Sequence, residues 1–109
     1  MATRYSRGRQ FEYRVRDDLR ERGCLVVRAA GSKGKVDLLA VLPLTDSSPG
    51  EILLVQCKAT GWGTPSERAE LCRLAEVYGA TAILASKGEP GIAYREYVNS
   101  TQNQPWGGI

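Results

Sequence analysis

The chain has no histidine at all, and only three cysteines, one phenylalanine and one methionine among its 109 residues. Without imidazole it lacks the side chain that most often moves protons near neutral pH. A hydrolase built from it must activate water another way, and a bound metal ion is the obvious route. Cys24, Cys57 and Cys72 lie far apart, form no C-x-x-C pair and leave an odd count. Three soft ligands without a histidine do not suit a four-coordinate structural zinc site, and a disulfide framework is not expected. The cysteines read as small buried apolar residues. No apolar run approaches the roughly 20 residues of a bilayer crossing, and no signal-peptide pattern opens the chain. The expectation is a soluble, intracellular protein without a membrane partner, cytoplasmic in a cell or in the host cell of a virus.

What is present is ordinary in amount but uneven in placement. Apolar residues make up 42% and charged residues 25%, close to globular norms, and 109 residues suffice for one domain with one core. The net charge is only +3. Yet residues 1–35 carry ten Lys and Arg against four acids, while the rest carries five against eight. A basic N-terminal third on a nearly balanced body is the electrostatic footprint of a polyanion partner. A solvated helix face with i,i+4 pairs such as Asp18–Arg22 is the competing reading.

Periodicity sets out the elements. Phe11, Val15 and Leu19 recur every four residues on one face of a helix over 6–22, with Ser6 as its N-cap, Gly23 as its stop and Glu12 at the margin of the stripe. Cys24 to Arg28 reads as a short strand, and Ala29 to Lys35 as a small-residue basic loop. Val36 to Leu42 is the next strand, Pro43 to Gly50 a turn-rich connection, and Glu51 to Ala59 a third strand. The near-continuous apolar residues of that third strand suggest a central position covered on both faces. Thr64-Pro65-Ser66-Glu67 is a capping box that opens a second helix, and Gly79 ends it. Ala80 to Ala85 and Ile92 to Val98 complete the strands, the last at an edge, with 99–109 set apart as a flexible tail. The fold class is α/β: a single-domain mixed sheet flanked by helices in the order α-β-β-β-α-β-β.

Chemistry concentrates where the third strand ends in Gln56-Cys57-Lys58. Side chains two apart share a strand face, so Gln56 and Lys58 project together and Cys57 opposite them. Paired with the second strand, they lie beside Asp37. A carboxylate, an amide oxygen and the backbone carbonyl of Cys57 are oxygen donors for a divalent cation, with Glu12 as a second carboxylate, directly or through water. Lys58 then orients the attacking water or stabilises charge developing on a phosphate. Each residue also has a plainer reading: Glu12 as a helix-surface charge, Asp37 as a turn cap, Lys58 as a snorkelling strand end.

The order of motifs resembles the PD-(D/E)xK nuclease superfamily and, within it, the archaeal-type Holliday junction resolvases that also occur in phages. The matching residues are Ser6-Arg7-Gly8 with Glu12, Val27-Arg28-Ala29 leading into Gly31-Ser32-Lys33-Gly34, and Val36-Asp37-Leu38-Leu39-Ala40. Leu54 through Lys58, Ala75 through Ala80 and Ile83-Leu84-Ala85 follow in order, so the similarity spans about residues 4–98. The resemblance implies a nuclease domain over 1–98 that resolves four-way DNA junctions by paired, metal-dependent nicks, acts as a homodimer and uses Mg²⁺ or Mn²⁺. Arg7, Arg9, Arg28, Ser32, Lys33 and Lys35 would contact DNA. One position departs from the pattern: such resolvases usually carry Glu where this chain has Gln56, and a neutral amide holds a cation less strongly. Mrr-like restriction nucleases use Q-x-K, so a nuclease acting on duplex DNA is one alternative. A non-catalytic DNA-binding module with a decayed metal site is another.

Overall fold

The computed structural model describes residues 4–29, 36–46 and 49–108, except for the side chains of 4–7. The first helix, α1 (Arg4–Glu21), is followed by β1 (Leu25–Arg28), β2 (Leu38–Val41) and β3 (Ile52–Cys57). The second helix, α2 (Pro65–Tyr78), precedes β4 (Thr81–Lys87), β5 (Ile92–Asn99) and β6 (Gln102–Pro105). The six strands lie in the sheet in chain order, and every neighbouring pair is antiparallel except β3 and β4. That parallel pair is joined by α2, as parallel neighbours require a crossover.

The helices cover opposite faces. Phe11, Val15 and Leu19 of α1 pack with Val26, Leu38, Ala40, Leu53, Val55, Ile83 and Ala85. Leu71 and Ala75 of α2 pack with Leu54, Ala82, Leu84 and Tyr97. The alternation along β3 and β4 sends odd-numbered side chains toward α1 and even-numbered ones toward α2. The central, doubly covered place expected for the third strand is therefore observed.

Both helices stop at glycine in the left-handed region, Gly23 at φ 97° and Gly79 at φ 65°. In each case the following amide reaches back five residues, Cys24 N–H to the Leu19 carbonyl and Ala80 N–H to the Ala75 carbonyl. The Thr64 capping box is complete. The Thr64 hydroxyl accepts from the Glu67 amide, and the Glu67 carboxylate accepts from the Thr64 amide. Ser6, by contrast, does not cap α1, because the helix already runs from Arg4.

The order α-β-β-β-α-β-β gains one strand. Residues 99–109, expected as a flexible tail, supply β6, so β5 is not the edge. Gln102-Asn103-Gln104-Pro105 has little strand propensity of its own, but the open edge of β5 offers backbone partners. The Asn99 side-chain oxygen accepts from the amides of Thr101 and Gln102, which turns the chain. Arg95 then binds Asn103 at 2.8 Å, and Trp106 packs edge-on against Tyr94 with ring centres 5.4 Å apart. Trp106→Ala is therefore expected to destabilise the fold by about 2 kcal/mol, and removal of 100–109 to lower the urea midpoint further and promote association through the bared β5 edge. Equilibrium urea unfolding and light scattering check both outcomes.

Candidate active site

Three elements bring polar side chains to the C-terminal end of β3: the third turn of α1, the approach to β2, and the exit of β3 itself. Asp37 lies one residue ahead of β2, and Lys58 one residue past β3. Two hydrogen bonds lock Asp37 to the strand. Its amide donates to the Val55 carbonyl at 2.9 Å, and its Oδ2 accepts from the Cys57 amide at 2.7 Å. The last amide of β3 on that edge is thus satisfied by a carboxylate rather than by a backbone carbonyl. In an extended strand the amide and carbonyl of one residue point the same way, so the Cys57 carbonyl is directed along the edge that carries Asp37. The next amide, from Lys58, turns the opposite way and donates to Ala85 on β4 at 2.9 Å.

Glu12 approaches from α1 closely enough to share a hydrogen bond with Asp37. Burial is the first cause that pushes the Asp37 carboxyl up, to about 6. The charge of Glu12 and that shared bond push the same way, while the Cys57 amide and the Lys58 ammonium pull against them. The Cys57 thiol is raised far above its usual range by burial, and further by Asp37 and Glu12, so a thiolate nucleophile is not available there.

Among the described residues Gln56 is the one buried amide or charged side chain, at 1% exposure, and its position in β3 sends it to the α2 face of the sheet with Leu54. Among the described residues neither atom of its amide has a hydrogen-bond partner. Leaving such a group unsatisfied costs about 1–3 kcal/mol. The chain folds down on this amide at Gly63, where a β-carbon would come within 2.6 Å of Oε1. Lys58 turns to the same face and pairs with Glu67 of α2, Nζ to Oε2, at 3.2 Å.

These donors suit a hard divalent cation. Two carboxylates held against each other gain from a positive charge, the orphaned Gln56 amide offers a neutral oxygen, and the Cys57 carbonyl is aimed along the same edge. Among the described residues, no three Cys, Asp or Glu side chains form a cluster that could hold a metal, in keeping with an amide at the third position.

The expected DNA contacts sort into three groups. Arg28 is tied to Glu12 at 3.1 Å, and its guanidinium lies 5.3 Å from the centre of the Tyr13 ring. Arg9 lies on α1, while the side chain of Arg7 and all of Ser32, Lys33 and Lys35 lie outside the described residues. A groove of about 850 Å³ runs from Gly8, Phe11 and Arg14 of α1 past Cys57, Lys58 and Thr60 to Lys87. Reading the sequence missed Arg14 and Lys87 as lining residues and Glu67 as the partner of Lys58. The signal for Lys87 was available, since parallel strands end at the same edge and Cys57 pairs with Ala85. Elsewhere on α1 Arg16 pairs with Asp17, and the expected Asp18–Arg22 pair closes at 2.9 Å.

The raised Asp37 carboxyl fixes the sign of a stability effect. Between the ordinary 3.8 and the native value of about 6, the folded chain binds a proton that the unfolded chain has released. Stability therefore falls as pH rises through that window, and the cost persists above it. Asn keeps an oxygen for the Cys57 amide without the charge. Asp37→Asn should melt a few degrees above the wild type at about pH 7.5 and close to it at about pH 4, in metal-free thermal melts.

A family model described as archaeal Holliday junction resolvase (Hjc) matches residues 3–94. The chain is 32% identical over 91 residues to the crossover junction endodeoxyribonuclease Hjc of Methanocaldococcus jannaschii, a stretch covering 80% of this chain. The same stretch spans 63% of that relative's length. The fold is similar to that of Hjc from Archaeoglobus fulgidus, a Holliday junction resolvase, with a TM-score of 0.65 and 21% identity over 90% of this chain and 81% of that one. With the family model covering most of its length and the sheet, helices and polar strand end in place, the chain belongs to the archaeal Holliday junction resolvase family.

Proposed function

We propose that this protein is a structure-selective DNA endonuclease that resolves four-way junctions by paired, metal-dependent hydrolysis of phosphodiesters. The observation that carries the reading is the convergence of Glu12, Asp37 and Lys58 at the end of β3, beside a buried Gln56, in a chain matched by the resolvase family model over 3–94. The nuclease domain takes in residues 1–98, and β6 (Gln102–Pro105) with Trp106 adds its edge strand and cap. A cytoplasmic setting, in a cell or in a virus-infected host, goes with such a substrate. Among the described residues no helix is long and apolar enough to cross a membrane.

Asp37, Gln56, the Cys57 carbonyl and Glu12, directly or through water, are the proposed ligands of Mg²⁺ or Mn²⁺. When bound, such an ion supplies a more acidic water and neutralises charge on the phosphate. The rest falls to the chain. Asp37, braced by the Cys57 amide, fixes the ligand edge relative to the sheet. Lys58 presents its ammonium to the scissile phosphate or the attacking water at the mouth of the groove. Arg7, Arg9, Arg28, Ser32, Lys33 and Lys35, joined by Arg14 and Lys87, position DNA through phosphate contacts that carry no sequence information. Arg28 does so while sharing its guanidinium with Glu12.

Two opposed nicks need two sites, so the active form is a symmetric homodimer. Its proposed face is the exposed end of α2 and the strand beside it, where Val77, Tyr78 and Val98 are 60%, 69% and 58% exposed and Val98 lines a groove of about 750 Å³ with Cys72, Glu76 and Tyr97.

The test is cleavage of an immobile four-way junction in Mg²⁺ and in Mn²⁺, beside a duplex of the same sequence. Paired nicks in the junction are expected to fall on the order of a hundredfold or more in Asp37→Asn and in Lys58→Ala, with junction binding retained. Equal cutting of the duplex would move the assignment to a Q-x-K duplex nuclease, the reading that Gln56 favours. Binding without cutting in either metal would point to a non-catalytic module.

A further inference from the structure

Glu67 does two jobs with one carboxylate. Its Oε1 accepts from the Thr64 amide at 2.9 Å and closes the capping box of α2, while its Oε2 lies 3.2 Å from the Lys58 ammonium. The reciprocal bond, from the Glu67 amide to Thr64 Oγ1 at 3.1 Å, fixes the turn from which the side chain projects. The Thr64 amide is the largest influence holding this carboxyl below its usual range, and Lys58 adds to it. The helix is anchored in turn. Leu71 and Ala75 are buried against the sheet, and Arg68 binds the carbonyls of Gly63 and Ser100, tying the start of the helix to the β5–β6 turn.

Lys58 needs such support. It stands one residue past the end of β3, where its backbone is held only by its own amide bond to Ala85, and its side chain has four freely rotating carbons. Lys58 lines the groove at that point, and among the described residues the ion pair with Glu67 is the one salt bridge its ammonium makes, with the Asp37 charge acting on it from farther off. We propose that Glu67 is the positioning residue of the active site: the N-terminal cap of α2 holds Lys58 at the scissile phosphate. The proposal rests on the nuclease reading given above and adds to it a residue that contacts neither substrate nor metal. It also ties the site to α2, the helix whose far end forms the proposed dimer face.

Glu67→Gln separates the two jobs, because Gln at the third helical position still closes a capping box. Its melting midpoint should fall only slightly, by the charge that the Thr64 amide and Lys58 stabilise, with the helix still capped. Its kcat on the four-way junction should fall about tenfold with KM and junction affinity unchanged, and Glu67→Asp should recover part of the loss. Lys58→Ala and Lys58→Ala/Glu67→Gln should cut at the same residual rate, since a positioning residue has nothing to add once its client is gone. Unchanged kcat in Glu67→Gln, or a further loss on the Lys58→Ala background, would overturn the proposal. A readout independent of cleavage uses the chain's four lysines, labelled at Cε and assigned with Lys58→Arg. The Lys58 side chain should be ordered in the wild type and mobile in Glu67→Gln. A Lys58 signal equally mobile in both would sink the positioning role whatever the enzyme cuts. An ordered Lys58 together with full cleavage by Lys58→Ala would sink the nuclease site while leaving the contact.

Discussion

The hydrogen bond from the Cys57 amide to the Asp37 carboxylate is the contact on which the rest of the site depends. A central strand covered on both faces must end somewhere, and its last amides need acceptors. Here the acceptor is a side chain that arrives from the next strand, so strand pairing and placement of a carboxylate are the same event. Because Asp37 also binds the Val55 carbonyl through its own amide, the side chain is referenced to β3 at two points. Loss of its charge leaves that frame intact, whereas loss of its oxygen would unpin the strand end.

The charges at the site are largely paired inside the chain. Glu12 holds Arg28 at 3.1 Å and Lys58 holds Glu67 at 3.2 Å, each pair partly shielded from solvent. Such pairs add little stability on their own, since desolvation offsets most of the attraction. Their effect is geometric: four long side chains are each confined to a narrow range of positions. The exception is Asp37, whose burial beside Glu12 is unfavourable when ionised. Two groups at the end of β3 thus stand to gain from a cation: the buried Asp37 carboxylate and the Gln56 amide that has no partner among the described residues.

Local rules carried much of the fold. The Thr64 capping box, the glycine stops at Gly23 and Gly79 and the apolar run of β3 each encode one decision that depends on a few neighbouring residues, and the structure follows them. What the sequence did not disclose depends on partners distant in the chain. β6 forms from four residues of poor strand propensity because β5 has an open edge, and the preferences of Gln102 and Pro105 contain no trace of that edge. The site divides in the same way. Glu12, Asp37 and Lys58 were legible from motif order, but the capping role of Glu67 fully accounted for it in sequence terms, which concealed its second contact. Arg28 read as a DNA contact, and nothing local announced its pairing with Glu12, which joins residues 16 positions apart.

The sheet separates the two sides of the site. Glu12 and Arg28 meet in the α1 layer, Lys58 and Glu67 in the α2 layer, and only Asp37 and the end of β3 belong to the strands between them. Each layer has its own core and its own charge pair. A substitution that repacks one helix therefore acts first on its own pair and reaches the other through Asp37, which interacts with both Glu12 and Lys58. Variation in this architecture is modular, with the strand end as the single part that both modules share.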